Sequence, residues 1–481
     1  MDKMKYNITI IGAGIIGSSI AYRLSKYDCS ILVVDKENDI GNEVSMANSA
    51  IVHAGHDPED GTLKALLNVE GNRMYPQLCE DIGARIRHVG AYTVMCSPEQ
   101  QETMDALIKR AEERGVPYEI LTAEEARKEE PNLADDVIKV LSLPSTAIII
   151  PWEVALKQMQ VAVLNGTEVK LNCEVKNIRR NEDGYVLETS QGEIETDYVI
   201  NCAGLYADKI ANMIAPLDIH TIPRRGEYFV LSHDAKDFVH HIVYPIPTAK
   251  GKGILAVPTV DENILLGPNA EETGNCEAIN TTSEGLSYIR QELNRSVKNV
   301  PFQHVIRTFA GLRPSIATKD FYIKKAEGEE HFLNLLGIDS PGIASAPAIA
   351  KYVENLLELP YAVKDSYETK NPYRFNFQDL TPEEKDAYIK EHPAYGNIIC
   401  RCEQISEGEI VQSIHEVLGA HSIKGVKKRV RPGMGKCQGG FCQPLVLEIL
   451  ARELKIRPEE VLYDQIGSNV VIDWKGGQDN A

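Results

Sequence analysis

The sequence predicts an α/β protein organised on a dinucleotide-binding parallel sheet, with an antiparallel-sheet domain inserted into it and a small separate domain at the C-terminal end. Three observations carry this. A glycine-spaced turn joins an apolar strand pattern to a helix pattern between Tyr6 and Leu24, punctuated β runs dominate from Ile222, and four cysteines in two tight pairs follow Asn397.

The first element is the run YNITIIGAGIIGSSIAYRL. Ile8, Ile10 and Ile11 read as a buried strand, and Gly12, Gly14 and Gly17 stand in the G-x-G-x-x-G register. Gly12 permits the tight turn, Gly14 lets the backbone approach a pyrophosphate, and Gly17 lets the next helix pack closely while its N-terminus faces the anion. A second apolar run, Ile31 to Val34, ends in Asp35, 18 residues after Gly17. An acidic side chain there accepts ribose hydroxyls and repels a 2′-phosphate, so a Rossmann-like domain for FAD or NAD is expected.

With 481 residues and 43% hydrophobic content, the chain has room for two or three domains with ample core. A net charge of −19 argues against general affinity for nucleic acid or anionic membranes. Apolar clusters such as Thr146 to Pro151 fall far short of the ~18 residues of a membrane span, and the first strand begins too near Met1 for a signal peptide. A cytoplasmic protein without a transmembrane segment is expected. Of ten cysteines, Cys29, Cys79, Cys96, Cys173, Cys202 and Cys276 stand singly among apolar neighbours and read as core.

Gly41 to Pro58 is irregular and rich in small residues, and it holds the segment Asn48-Ser49-x-x-x-His53-Ala54-Gly55. Together with the glycine turn it resembles the flavoproteins of the D-amino acid oxidase and glycerol-3-phosphate dehydrogenase superfamily, the segment itself being similar to the 2-hydroxyglutarate dehydrogenase branch. The resemblance implies FAD, with Ser45, Asn48, Ser49 and His53 beside the isoalloxazine and with Ile16, Lys36 and Val175 among the nucleotide contacts. Helices are expected over Glu70 to Cys79 and Glu99 to Arg114, a strand over Arg85 to Met95, and a capping box at Thr122 and Glu125. Ser145 to Gly166 resembles the family's return to the FAD domain. Strands then run over Glu168 to Ile178 and Tyr185 to Thr189, and Tyr198 to Cys202 breaks at Ala203-Gly204, where the family has a second flavin-contacting turn.

The β runs from Ile222 describe an antiparallel sheet, which in the family is the substrate domain. Arg224, Arg225 and Tyr228 lie in its first strand, and Arg225 resembles the family's R-G-E-Y element. Gly311-Leu312-Arg313-Pro314 is similar to the element that brings an arginine to the substrate's acidic group, a task that suits a planar bidentate fork. Lys252 is a further supporting cation. The final strand-turn-helix of this region carries Gly337, Ile338, Gly342 and Ile343, which the resemblance sets near the flavin pyrimidine. The implied boundaries are 1–84, 145–215 and 305–359 for the FAD domain, 85–144 and 216–304 for the substrate domain, 360–396 for a linker, and 397–481 for the last domain.

In that last domain, Cys400-x-Cys402, 34 residues, then Cys437-x4-Cys442 suits four-thiolate binding of zinc or an iron-sulfur cluster. The words IICRCEQISEGEI and RPGMGKCQGGFCQP resemble the bacterioferritin-associated-ferredoxin-like (BFD-like) domain, which implies a small helical fold and a [2Fe-2S] cluster. A basic run, Lys427, Lys428, Arg429, Arg431 and Lys436, lacks the aromatic interleaving of a nucleic-acid site and is expected to answer the charge of the cluster. The resemblances together imply a dehydrogenase of a small anionic 2-hydroxy compound, glycerol 3-phosphate foremost. Electrons would leave through the cluster to a redox partner subunit or quinone-linked acceptor, which could tie the protein to a membrane periphery or a hetero-oligomer. Arg313, helped by Arg225 or Lys252, would hold the anion, and His53 is the candidate base. L-2-hydroxyglutarate, an amino or imino acid, and a role as an electron-transfer subunit without its own substrate are the alternatives.

Overall fold

Strand β1 (Met4–Ile11) lies at the middle of a sheet, paired in parallel with β2 (Ile31–Val34) on one side and β3 (Gly192–Asn201) on the other. The computed structural model describes residues 4–247, 253–373 and 375–472. Helix α1 (Ile15–Leu24) crosses between β1 and β2, giving the expected βαβ unit. Alternation is absent from β2, whose four residues are all buried, as a parallel strand covered on both faces requires. The long strand β3 divides its pairing. Its first half joins the antiparallel strand Tyr185–Thr189, and its end runs parallel to Phe332–Leu336.

The stretch Glu168 to Ile178, expected as one strand, is two. Glu168–Lys170 extends the sheet beside β2, whereas Val175–Arg180 forms the hairpin with Tyr185–Thr189. Between them the N–H of Cys173 donates to the carbonyl of Asp35, so the approach to Val175 runs past the end of β2.

Helix α2 (Leu63–Ile82) starts earlier than expected because Thr62 caps it and Asp320 accepts the N–H groups of Leu63 and Lys64. It packs against α3 (Gly342–Leu357), where the hydroxyl of Tyr75 donates to the carbonyl of Ile343 at 2.6 Å.

The second sheet contains nine strands among the described residues, and its pairings are antiparallel except that Ile242–Pro245 runs parallel to Ala91–Met95. At its heart β4 (Ile222–Leu231) pairs with β5 (Val305–Ser315) over almost their whole length. Successive β4 side chains serve opposite faces. Phe229 and Leu231 join a core with Ile289 and Leu293 of the helix Ser283–Leu293, while Tyr228 joins Ile51, Ala54 and Phe309 on the other face. No helix of the described residues is long and apolar enough to cross a membrane.

The chain divides into two compact units, Met1–Lys36 with Ile40–Lys370, and Glu37–Asp39 with Asn371–Ala481. The stretch expected as a linker over 360–396 is therefore split between them. Its later part is folded: Phe377, Tyr388 and Tyr395 pack their rings together, and Gln378 donates to Glu409. The rest of the second unit is three helices, α4 (Glu407–His415), α5 (Ile423–Val430) and α6 (Gln443–Leu454), around a core of Ile410, Val426, Val446 and Leu450. Of the six single cysteines expected in the core, Cys79 and Cys173 are buried. Cys96, partly buried, packs against the core that holds Phe229 and Leu231, and Cys29, Cys202 and Cys276 are partly buried in loops and at element ends.

Candidate active site

The glycine turn has the shape of a backbone cradle. A Cβ on Gly17 would stand 1.9 Å from the carbonyl oxygen of Gly12, and one on Gly12, whose φ is +109°, would stand 2.4 Å from that of Cys202. Turn, helix and the Cys202-Ala203-Gly204 corner therefore close on one another only without side chains. The first turn of α1 carries no acidic side chain, and its Ile15 N–H donates to Ser45 Oγ at 2.9 Å. Asp35 at the end of β2 accepts the N–H of Ala13 at 2.6 Å. A helix N-terminus, a side-chain-free turn and a carboxylate one strand away match the pyrophosphate and ribose of a dinucleotide, so these residues fit FAD. Ile16 is half-buried on α1. Lys36 pairs with Glu43 at 3.1 Å over the ring of Tyr206.

The loop after Gly41 then turns toward the second sheet. Asn48 holds it by donating to the carbonyls of Val44 and Ser45 and accepting the N–H of Ala50. Ser49 Oγ reaches Tyr228 Oη at 3.1 Å, and the Tyr228 ring stacks on Phe309 with centroids 4.5 Å apart. Burial raises the Tyr228 hydroxyl pKa, with Arg313 and Ser49 pulling it back, so the phenol stays protonated at neutral pH. A Cβ on Gly311 would stand 1.9 Å from the carbonyl oxygen of Ala47, so this loop lies directly on β5. The His53 carbonyl accepts from Asn68 and Asn72 of α2 at 2.8 and 3.2 Å, which fixes the backbone behind its imidazole.

Arg313 donates both Nη groups to the carbonyl of Asn269 at 3.3 Å and lies over Gly226. It thus shares a face with Tyr228, and through Tyr228 with Ser49. Gly337, with φ +68°, ends the strand Phe332–Leu336, Ile338 is half-buried, and Gly342 begins α3 at the same edge. Sequence reasoning left Tyr228 and Asn269 without a role. Counting alternate residues back from Tyr228 would have indicated which arginine shares its face.

The expectation for Arg225 is corrected. It lies on the opposite face of β4 from Tyr228 and from Arg224, the cross-strand partner of Arg313; its Nη2 meets Glu271 at 2.6 Å, and its Nη1 donates to Asn280. Its Nε faces Glu227 at 3.6 Å. A side chain so engaged, on the wrong side of a pleated strand, cannot support Arg313. Lys252 lies outside the described residues.

In the second unit the four expected cysteines come together as two pairs. Cys402 and Cys437 lie with sulfurs 3.8 Å apart, and Cys400 is hydrogen-bonded to Cys442 at the start of α6. The Cys442 thiol and the N–H groups of Gly433, Glu403 and Cys402 hold the Cys400 pKa down to about 6 against its burial. Cys442 is pushed up in turn by that partner and by burial. Burial of Cys437 is outweighed by the N–H groups of Phe441, Gly439 and Gly440, which lower its pKa. Among the described residues no three potential ligands converge as for a single ion. Two thiol pairs ringed by N–H donors instead fit a cluster ligated by four thiolates.

Three of the five cations of the basic run, expected to answer the charge of the cluster, pair with carboxylates. Arg429 and Lys428 of α5 meet the carboxylate of Asp39, at 2.9 and 3.1 Å, and Arg431 meets Glu403 at 2.9 Å.

Comparison with known proteins gives each of the two units a family. Residues 7–356 match the model of the family "FAD dependent oxidoreductase", and residues 398–452 match that of the "BFD-like [2Fe-2S] binding domain". The chain is 43% identical to the glycerol 3-phosphate dehydrogenase of Caloramator mitchellensis, over 97% of this chain and 98% of that one. It is 33% identical to the L-2-hydroxyglutarate dehydrogenase of Escherichia coli K12, over 55% of this chain and 64% of that one. Among solved structures, the reduced, FAD-bound L-α-glycerophosphate oxidase of Mycoplasma pneumoniae matches with a TM-score of 0.73 and 28% identity, over 76% of this chain and 98% of that one.

Proposed function

Since the chain belongs to the FAD-dependent oxidoreductase family and ends in a BFD-like [2Fe-2S] domain, we propose that it is a glycerol-3-phosphate dehydrogenase that passes electrons through the cluster to a partner acceptor. The observation that carries this is the 43% identity with a glycerol 3-phosphate dehydrogenase along nearly the whole of both chains, cysteine domain included.

The turn from Gly12 to Gly17, Asp35 and the loop from Ser45 to Ser49 would hold FAD, which would supply a two-electron acceptor, and Cys400, Cys402, Cys437 and Cys442 would hold a cluster that supplies one-electron transfer. The protein's own residues do the rest. Arg313 would take the phosphate on its fork, which fixes the carbinol carbon relative to the loop. Tyr228, a protonated phenol paired with Ser49, offers a hydroxyl beside that anchor. As the carbinol C–H bond breaks, the His53 imidazole would accept the hydroxyl proton and leave the ketone, dihydroxyacetone phosphate.

The second reading, oxidation of L-2-hydroxyglutarate, is favoured by the Asn48 to Gly55 segment and by the partial match to such enzymes. An anaerobic panel decides between them. Glycerol 3-phosphate should bleach the flavin in the purified protein while L-2-hydroxyglutarate and amino acids leave it oxidised, and the reverse pattern would overturn the assignment.

A further inference from the structure

We propose that Arg224 is a second anchor for the substrate's anionic group and forms, with Arg313, a two-arginine clamp suited to a phosphate dianion; this deepens the function proposed above and rests on it. The register of β4 against β5 sets Arg224 directly opposite Arg313, Gly226 opposite Gly311 and Tyr228 opposite Phe309. Alternation puts all six on one face, the one whose Tyr228 meets Ser49 and whose Gly311 lies against the loop at Ala47.

Two cations directly opposite each other across antiparallel strands repel unless a counter-charge lies between them. Neither arginine has one among the described residues. Arg313 donates to a main-chain carbonyl and borders Tyr228, with its Nη2 2.8 Å from where a Cβ on Gly226 would stand. Arg224 is half-buried and makes no hydrogen bond or ion pair with any described residue, although its Nε is shut away from solvent. A buried donor left unmade is costly, so its acceptor should come from outside the chain. Glu272, the register neighbour of Arg224 on its other side, is exposed and forms no ion pair with it.

The chemistry of the ligand follows from counting acceptors. One guanidinium fork saturates the two oxygens of a carboxylate, whereas a phosphate dianion presents three oxygens and can engage two forks together. A two-arginine face therefore selects for phosphate over carboxylate, and it supplies what a sequence segment resembling the hydroxy-acid enzymes does not.

The test is calorimetric titration of the FAD-loaded full chain with dihydroxyacetone phosphate and, separately, inorganic phosphate. Arg224→Gln should weaken both at least ~10-fold, and the KM for glycerol 3-phosphate should rise similarly with kcat nearly unchanged. Arg224→Lys, which keeps the charge and most of the packing, should recover part of the affinity and so covers a failure of the Gln variant to fold. A Gln variant with normal flavin content that binds dihydroxyacetone phosphate as tightly as wild type would overturn the clamp, as would wild type that binds neither ligand. Because the readout is affinity, this failure differs from failure of the proposed function, in which glycerol 3-phosphate does not bleach the wild-type flavin.

Discussion

Arg313 carries the sharpest expectation at the scale of single residues. Replacing it with lysine keeps the charge and loses the fork, so kcat/KM for glycerol 3-phosphate should fall at least ~10-fold, or ~1.4 kcal/mol. Steady-state kinetics check this, and wild-type values would return Arg313 to a structural role beside the Asn269 carbonyl. The pairing of the four cysteines and the side-chain-free turn at Gly12 and Gly17 were legible in the sequence because their spacing is local and each place admits almost one residue type. Arg225 was misread for a different reason. Arg225 and Tyr228 belong to one R-G-E-Y motif, but a strand shows alternate residues to opposite faces, and a spacing of three sets these two apart. The pairing partner that decides which face matters, β5, lies some eighty positions away, and nothing local encodes that register.

At the scale of elements, the strand-turn-helix at β1 and α1 is the most constrained piece of the fold. Gly12→Ala would force a Cβ to within 2.4 Å of the Cys202 carbonyl oxygen at a φ of +109°. The variant should purify with little or no flavin, as its absorption spectrum would report, and full FAD occupancy would contradict the cradle described here. Helix α5 offers a second case. Asp39 is almost wholly buried, and although burial alone would raise its carboxyl pKa, Arg429 and Lys428 overcome it and hold the group far below the usual range. A depressed carboxyl contributes stability that is complete above its unfolded pKa, near 4, and is lost as pH falls through the folded value. Asp39→Asn removes that contribution at neutral pH and takes from Lys428 and Arg429 the carboxylate they share, at a cost of ~3–5 kcal/mol to the second unit. Thermal melts followed by cluster absorption should show a clear fall in midpoint, and an unchanged midpoint would mean the pair is solvated. The basic run was visible in sequence, yet its partner was not, because Asp39 lies roughly four hundred positions before it.

At the scale of the whole molecule, two chemistries are held by two separately packed units of one chain, each with its own core. Cys442→Ser should therefore lose the iron and acid-labile sulfide of the cluster while FAD stays bound, and glycerol 3-phosphate should still bleach the flavin in a single turnover. Transfer to the native acceptor should collapse. Metal analysis together with single-turnover kinetics checks this, and loss of flavin alongside the cluster would contradict the independence of the units. Adding glycerol 3-phosphate anaerobically to the wild-type protein, with flavin absorption and the electron paramagnetic resonance spectrum recorded together, shows whether its oxidation feeds electrons from FAD to a [2Fe-2S] cluster. The flavin should bleach and the signal of a reduced [2Fe-2S] cluster should appear, whereas an unbleached flavin, or a bleached flavin beside a cluster that stays oxidised, would rule out this electron path.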